Sequence, residues 1–225
     1  MRNEIIIDLK GNIDSMVIFA PEELGLAAEI NGKRVKEYWI SKYQNTIING
    51  IPYSCIHQRP AVNLDKKHAR QYCMSKGEGW HLITNEEWNA IVRVSKNPGG
   101  NTDHGRNIND CEEFGMLYTG GLGKTLTGSG PASWNHDRSR YGISDMCGNV
   151  HEFVDGTIIR DSRVVTLGLA DVLAGNYGSA CSVVRGGSFE SGKAGDICSL
   201  SILPEDSRGE TYGFRAARVV FEQKG

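Results

Sequence analysis

The chain has 225 residues, a formal net charge of −2 and a hydrophobic content of 39%. This composition is ordinary for a folded protein of one larger or two small domains, and it excludes a largely disordered chain. The nearly balanced charge gives no overall positive field, so neither nucleic acid nor an acidic membrane is an expected partner. No apolar run approaches the ~20 residues of a membrane span, and the N-terminal stretch lacks the apolar core of a signal peptide.

The cysteines are scattered along the chain, without the spacing of a zinc site or a CxxC motif. They are Cys55, Cys73, Cys111, Cys147, Cys181 and Cys198. Such cysteines are typical of buried or free thiols in a reducing compartment. The histidines are equally solitary, so we expect neither a metal ion nor another cofactor.

The first elements in chain order are predicted strands. The sequences NEIIIDL and SMVIFA predict one or two short strands that end in a turn near Pro21. We therefore treat residues 1–35 as a short N-terminal β segment for anchoring or oligomerisation, followed by a main domain over 36–225. Alternating residues around Asn49 and Gly50 then predict a β-hairpin.

Two helices are predicted next. In NLDKKHARQYCMSKGEG, Asn63 is placed to cap the N-terminus, and Gly77 stands where a C-terminal cap belongs. In TNEEWNAIVRVSKNPGG, Thr84 and Glu87 form a capping box, and the helix is expected to stop before Pro98.

No helix is predicted after residue 98, where glycine and short polar residues dominate. The stretch GGLGKTLTGSG lacks the spacing of a phosphate-binding loop and predicts an ordered glycine-rich loop. The alternating stretch YGFRAARVVF predicts a closing strand. The fold class is therefore α+β: two helices packed on a small, irregular, largely antiparallel sheet with long loops.

The stretch ISDMCGNVHEFVDG contains a histidine and a glutamate that could suggest acid–base catalysis. Because side chains alternate across a strand, His151 and Glu152 are expected on opposite faces and cannot act together. An inward glutamate after a Gly-Asn turn is typical of a hydrogen-bonded strut. We therefore interpret Glu152 as a strut, with a catalytic role as the alternative.

Residues 185–218, RGGSFESGKAGDICSLSILPEDSRGETYGFRAAR, run between two strand-like ends. The middle of this stretch mixes aromatic, charged and small residues without a period. Such side chains, held between rigid strands, can form a binding face. An ordinary solvated loop fits the same pattern, and the residues alone do not decide between the two.

Three motifs in a fixed order, GISDMCGNVHEF, VVRGGSF and GFRAAR, resemble the formylglycine-generating-enzyme-like (sulfatase-modifying factor) form of the C-type lectin fold. Upstream stretches such as ARQYCMSKGEGWHLITNEEWNAI resemble one branch of it, the variable proteins of diversity-generating retroelements, found mostly in bacteriophages and prophages. The resemblance covers about residues 36–220. It implies a C-type-lectin-like domain in which Glu152 is a buried strut, with His151 and Phe153 where the family usually has tryptophan.

The resembled family also contains enzymes. The sulfatase-modifying enzymes use a copper-binding cysteine pair after the RGGS motif, and the matching positions here are Ser191 and Asp196. The ergothioneine-type oxidases of the superfamily need a three-histidine iron site from an additional domain, for which this chain has no room. We therefore expect a non-enzymatic protein with no catalytic residue, and a metal-dependent oxidase is the less favoured alternative.

In the variable proteins, the segment between the RGGS and GFR motifs is the diversified ligand-binding surface, which implies a candidate variable region over 186–215. The solvent-facing, ligand-binding candidates are Phe189, Glu190, Ser191, Lys193, Asp196, Ser201, Leu203, Asp206, Ser207, Arg208, Glu210, Thr211 and Tyr212. The interleaved residues Ile197, Leu200 and Ile202 are expected to point inward.

The resemblance implies a receptor-binding protein of a phage tail or fibre, which binds a protein or glycan on the host cell surface and contacts other virion proteins. It would be made in the host cytoplasm without a signal peptide. By analogy it would be a homo-oligomer, with a trimer as one arrangement. A structural virion component and a binder of fixed specificity are the alternatives. The retroelements of this branch mutate adenines mostly in Asn-type codons that end in a pyrimidine, and such codons cannot become Glu or Lys codons. Glu190, Lys193 and Glu210 would therefore be template-encoded, or the chain would lie outside an active cassette.

Overall fold

The computed structural model describes residues 1–97, 116, 124–160, 163–165, 172–173, 181–191 and 195–223. The helices are α1 (Pro21–Leu24), α2 (Lys66–Met74) and α3 (Asn85–Val94), and Ala132–Trp134 form one 3₁₀ turn. The strands are β1 (Arg2–Ile7), β2 (Ile13–Phe19), β3 (Glu29–Ile30), β4 (Lys33–Ser41), β5 (Thr46–Ile48), β6 (Ile51–Tyr53), β7 (Trp80–Leu82), β8 (His151–Val154), β9 (Ile158–Arg160), β10 (Arg163–Val165), β11 (Val172–Leu173), β12 (Cys181–Arg185), β13 (Leu200–Pro204), β14 (Tyr212–Phe214) and β15 (Ala216–Phe221). In these ranges no helix has both the length and the apolar character that a membrane crossing requires.

The described strands form two main sheets. The larger has six strands, in the order β1-β2-β4-β15-β7 with β3 beside β4, and the smaller has the order β13-β12-β8-β14. A three-stranded sheet, β11-β10-β9, and the β5–β6 hairpin complete the described strands. The paired strands run antiparallel except β14 and β8, which are parallel. The predicted α+β class with largely antiparallel sheets is thereby confirmed.

The N-terminal strands are continuous with the larger sheet. β1 pairs with β2, and β2 pairs in turn with β4 over Met16–Phe19. Val17 and Phe19 of β2, with Leu24 of α1, lie in the hydrophobic core. The predicted turn near Pro21 is one turn of helix, with the proline in its first turn, where a missing backbone N–H costs nothing. The anchoring or oligomerising role of residues 1–35 stays a prediction.

Two hydrophobic clusters form the core, and each long helix covers one of them. Trp88 and Ile91 of α3 pack in the first cluster, whereas Ala69 and Cys73 of α2 pack in the second. Both sheets contribute to both clusters because successive side chains of a strand point to opposite faces. On β8, for example, Phe153 lies in the second cluster. Val154, the next residue of the same strand, lies in the first cluster.

The start of α3 confirms the predicted capping box. The Thr84 hydroxyl accepts the Glu87 backbone N–H at 3.1 Å, and the Glu87 carboxylate accepts the Thr84 N–H at 2.8 Å. The same carboxylate pairs with His81 on β7, with Nε2 and Oε1 2.9 Å apart. Burial opposes protonation of His81, but the Glu87 charge outweighs it and raises the His81 pKa to about 9. The helix ends at Val94, and the predicted stop at 98–100 lies outside the described residues.

The predicted caps of α2 are wrong. The N-cap is Asp65, whose carboxylate accepts the His68 backbone N–H at 2.8 Å. Asn63 instead has a left-handed backbone, with φ of 62°, and its side chain donates to Glu210. The helix closes at Ser75, two residues before Gly77. Aspartate and asparagine are equally favourable N-cap residues. Asn63 instead contacts the distant Glu210, and Asp65 takes the N-cap position.

Candidate ligand-binding surface

A buried ion pair fixes the C-terminal end of the candidate variable region. Arg215 is fully buried, and Glu152 is 1% exposed. The Arg215 Nε and Nη2 atoms donate to the two Glu152 oxygens at 2.9 and 2.8 Å, which is a bidentate pair. The remaining guanidinium donors bond to the backbone oxygens of Ser41, Lys42 and Ser144. Glu152 is therefore a strut, as predicted, and both of its oxygens are engaged.

Two amide side chains extend this network to the turn before β8. Gln44 donates to Glu152 Oε1 at 3.1 Å and to the carbonyl oxygens of Asp145, Gly148 and Val150. The Gln44 oxygen accepts from Asn149 Nδ2 at 2.9 Å. Because each buried polar group is hydrogen-bonded, the network holds β4, β8 and β14 in one fixed arrangement.

A second buried arginine fixes the N-terminal end of the region. Arg185, at the end of β12, is fully buried and donates to Asn85 and Asn89 of α3 at 2.8 and 3.0 Å. Its Nε atom donates to the Ser199 carbonyl at 3.1 Å. Burial lowers the Arg185 pKa to about 10. This residue therefore joins α3 to both the start and the middle of the candidate variable region.

The two glycines that follow Arg185 are required by the backbone. Gly186 and Gly187 have φ values of 83° and 70°, in the left-handed region that favours glycine. A Cβ atom would come within 2.4 Å of the Met146 oxygen at Gly186, and within 2.4 Å of the Gly195 Cα at Gly187. Any larger residue would force the turn open, so the N-terminal end of 186–215 is sterically defined.

The structure separates the predicted binding residues into several classes of exposure. Glu190, Asp206, Arg208 and Glu210 are exposed. The half-buried residues are Ser191, Asp196, Ser201, Leu203, Ser207, Thr211 and Tyr212. Lys193 lies outside the described residues. The inward direction predicted for Ile197 is confirmed by its complete burial. Leu200 and Ile202 are half-buried and pack against the same first cluster.

The prediction that Phe189 faces solvent is wrong. Phe189 is only 6% exposed, and its backbone N–H donates to the Asn149 carbonyl at 2.9 Å. The Lys124 ammonium lies 5.7 Å from the centroid of the Phe189 ring and forms an ion pair with Glu210. The hydrogen bonds from Lys124 and Asn63 lower the pKa of Glu210. Phe189 therefore supports a lysine that reaches the opposite end of the region.

The segment before β14 is tied to the start of α2. Arg208 Nη2 lies 2.6 Å from Asp65 Oδ2, and the Asn63 backbone N–H donates to the Gly209 carbonyl at 3.0 Å. The Asn63 side chain donates to Glu210. Two of the predicted ligand-binding residues, Arg208 and Glu210, thus have intramolecular partners, whereas the described contacts of Asp206 include no ion pair.

Tyr212 and His151 form an aromatic pair at the edge of the smaller sheet. They are opposite each other in the parallel β14–β8 register, and their ring centroids are 5.8 Å apart. Burial lowers the His151 pKa to about 4, so the imidazole is neutral at pH 7. Its Nδ1 atom is buried and has no hydrogen-bond partner in the described part of the chain.

The predicted residues do not all converge on one spot. Leu203 on β13 and Tyr212 on β14 both pack against the second core cluster. They lie on the two edge strands, because the sheet order is β13-β12-β8-β14. Three strand spacings of about 4.8 Å place these edges roughly 14 Å apart. The predicted residues are therefore spread over a broad face.

The described residues contain no group of three or more His, Cys, Asp or Glu side chains that could hold a metal ion. The positions that match the copper-binding cysteines are both hydrogen-bonded in local turns. Ser191 accepts the Ser188 N–H at 2.9 Å. Asp196 accepts the Ser199 hydroxyl at 3.2 Å. Cys198 is a free thiol, and burial raises its pKa.

The model of one protein family, the sulfatase-modifying factor enzyme 1-like domain, matches residues 30–220. The chain belongs to this family. No curated protein matches it in sequence. Among solved structures, PvdO from Pseudomonas aeruginosa is similar to this sulfatase-modifying factor-like chain, with a TM-score of 0.55 and 16% identity over 98% of this chain and 99% of PvdO.

A second similar structure is Treponema denticola variable protein 1, with a TM-score of 0.53 and 13% identity over 96% of this chain and 98% of that protein. The Major Tropism Determinant I1 variant has 12% identity over 92% of this chain and 56% of its own, with a TM-score of 0.46 that is too low to support an inference. The predicted family is thus confirmed, and a variable protein is among the structures that share its fold.

Sequence reasoning missed the residues that support this face of the sulfatase-modifying factor-like domain. Lys124, Asn63 and Asp65 lie outside 186–215, yet each contacts Arg208, Phe189 or Glu210. One sequence feature pointed to Lys124, which is the only charged residue in the glycine-rich stretch GGLGKTLTGSG. Asn63 was considered only as the predicted cap of α2, and no sequence feature indicated that Asn63 or Asp65 contacts this face.

Proposed function

We propose that this chain is a non-enzymatic ligand-binding protein of the variable-protein type. In this proposal it displays exposed side chains of 186–215 on a fixed backbone and acts as a receptor-binding protein of a phage tail or fibre. Its ligand is a protein or glycan on the host cell surface, and several copies in one particle add avidity to individually modest sites. The virion is the corresponding location.

The observation that carries this proposal is the pair of buried arginines at the two ends of the region. Arg185 and Arg215 are both fully buried and each bonds to several acceptors. Glu190 and Asp206, between them, are exposed. Surface substitutions away from buried contacts change stability by about 0.5 kcal/mol or less, so such positions can vary without loss of the fold. A binding face that must change its specificity needs this separation of anchors and variable positions.

A non-enzymatic role is supported by the chemistry available at the family's motif positions. Glu152 has both oxygens committed to Arg215, and Ser191 and Asp196 offer no thiolate for copper. A catalytic activity would therefore need side chains other than those at the motif positions of the sulfatase-modifying enzymes.

Sequencing of the encoding gene across many isolates of one population tests the proposal, read at codons 186–215. We expect substitutions to concentrate at exposed positions such as 190 and 206, while Gly186, Gly187 and Arg215 stay fixed. Phe189 should remain aromatic because its ring packs beneath Lys124. Codons outside the region, such as those of the exposed Glu22 and Glu86, provide the background rate. An invariant region would contradict diversification.

A binder of fixed specificity is the second candidate, and a specific observation favours it. Glu210 and Arg208 form ion pairs with Lys124 and Asp65, which lie outside the region. Free exchange of either side chain would leave a charge without its partner, and Lys124 is 5% exposed. If the chain is a binder of fixed specificity, codons 208 and 210 should be as invariant among the isolates as codons 190 and 206.

A further inference from the structure

A groove lies at the far end of the larger sheet, away from the candidate binding surface. Its walls are the β3–β4 turn at Gly32–Arg34, Glu78, and the end of β15 with the residues after it, 218–223. Its volume is about 610 Å³. This lies within the roughly 300–1,000 Å³ of small-molecule sites. The groove shares no residue with 186–215, so the proposed receptor-binding role does not explain it.

Arg218 is the unusual residue of this groove. It stands opposite Trp39 of β4 and Trp80 of β7 in the sheet register. The guanidinium carbon lies 5.5 Å from the Trp39 ring centroid and 5.7 Å from that of Trp80. Cation–π contacts with two indole rings hold the group in place without satisfying its N–H donors.

The Arg218 guanidinium has no acceptor within the described part of the chain. Its Nε atom is buried and makes no hydrogen bond. The fully buried Arg185 and Arg215 behave differently from the half-buried Arg218, because each of them bonds to several oxygen atoms. Buried polar groups are nearly always hydrogen-bonded. Because Arg218 is among the residues that line the groove, its unmatched Nε atom points to an acceptor from outside the chain, and a charged donor favours an anion.

The charges around the groove favour an anionic ligand. The lining contains three positive residues, Lys33, Arg34 and Arg218, and two negative ones, Glu78 and Glu222. The two acidic groups pair with Lys33 and Arg34 at 3.9 and 3.8 Å, and all four side chains are at least half exposed. Such exposed pairs contribute little, so Lys33 and Arg34 can turn toward a bound anion at small cost.

We propose that this groove binds a small organic oxyanion, a carboxylate or a phosphate monoester, through the Arg218 guanidinium. Trp39 and Trp80 position the guanidinium, and Lys33 and Arg34 add positive charge at the rim. Phe221 and Val220, which also line the groove, offer an apolar wall for the body of the ligand. The site is independent of the receptor-binding proposal.

Titration of the full chain with phenyl phosphate and with benzoate tests this inference, and benzyl alcohol is the neutral control. Tryptophan fluorescence reports binding because two indoles flank Arg218, and calorimetry provides a second readout. We expect saturable binding of at least one anion, weakened at least tenfold by Arg218→Met, because hydrogen bonds to charged groups contribute on that order. Arg140→Met is the matched control, since Arg140 stacks on Tyr141 at 4.8 Å outside the groove and should not affect binding.

The two anions separate the possible sources of the ligand. Binding of phenyl phosphate alone identifies a phosphate site, binding of benzoate alone a carboxylate site, and binding of both supports the shared chemistry. The inference is overturned if neither anion saturates, if benzyl alcohol binds equally well, or if folded Arg218→Met binds as tightly as wild type. Should Arg218→Met fail to fold, the Arg218 Nε–H resonance of the wild-type chain decides. A shift on anion addition supports the site, and an unmoved resonance overturns it.

Discussion

Replacement of Glu152 by glutamine measures what the buried strut contributes. The substitution keeps the shape of the side chain but leaves the fully buried Arg215 guanidinium without its negative partner. Removing one partner of a buried pair typically costs about 3–5 kcal/mol. Because the glutamine oxygen still accepts one hydrogen bond, we expect a loss near the lower value, about 3 kcal/mol. For a chain of this size that lowers the unfolding temperature by roughly 6–12 °C.

Chemical denaturation, followed by tryptophan fluorescence and circular dichroism, gives the change in unfolding free energy. Glu222→Gln is the matched control, because Glu222 pairs with Arg34 at 3.8 Å while the two side chains are 50% and 76% exposed. An exposed pair of this kind contributes about 1 kcal/mol or less. The reasoning is refuted if Glu152→Gln costs no more than Glu222→Gln. In that case Glu152 would not stabilise the fold, and the alternative of a catalytic role would explain why it is buried.

Three further predictions concern the buried Phe189 and two half-buried histidines. Phe189→Ala should lower the unfolding free energy by about 3 kcal/mol, against about 0.5 kcal/mol or less for the exposed neighbour Glu190→Ala, measured by chemical denaturation. The pKa of His81 is raised to about 9, so its pair with Glu87 stabilises the fold fully below the unfolded value near 6.5, and this contribution disappears as pH rises through about 9. The difference in stability between wild type and His81→Gln should therefore shrink from pH 6 to pH 10, and a constant difference would contradict the pairing. The pKa of His151 is lowered to about 4, so the wild type should lose stability as pH falls from 6.5 toward 4, whereas His151→Phe should lose less over the same denaturation series.

Features that depend on neighbours in the chain were predictable from the sequence. The Thr84–Glu87 capping box spans one helical turn, and both of its hydrogen bonds are present. The opposite directions of His151 and Glu152 follow from strand pleating alone. The order of the GNV, RGGS and GFR motifs indicated the family, which the family comparison confirms.

Features set by distant contacts were not predictable. Phe189 lies between Ser188 and the exposed Glu190, and nothing nearby indicates that a lysine 65 positions upstream will lie over its ring. The predicted cap of α2, Asn63, contacts Glu210 outside the helix, and Asp65 caps the helix instead. In both cases the deciding partner is far away in sequence and belongs to the candidate binding face.

These distant contacts also divide the binding face into parts with different freedom to change. Mutations at separate positions with no shared partner have nearly additive effects on stability, whereas those in one ion-pair network are coupled. Glu190 and Asp206 are exposed and have no described ion pair, so their exchange leaves the scaffold unaffected. Glu210 shares Lys124 with Phe189, so a change at 210 removes the carboxylate that pairs with a nearly buried ammonium. The positions suited to diversification are therefore fewer than the segment length suggests, and the ion pairs rather than the motifs decide which they are.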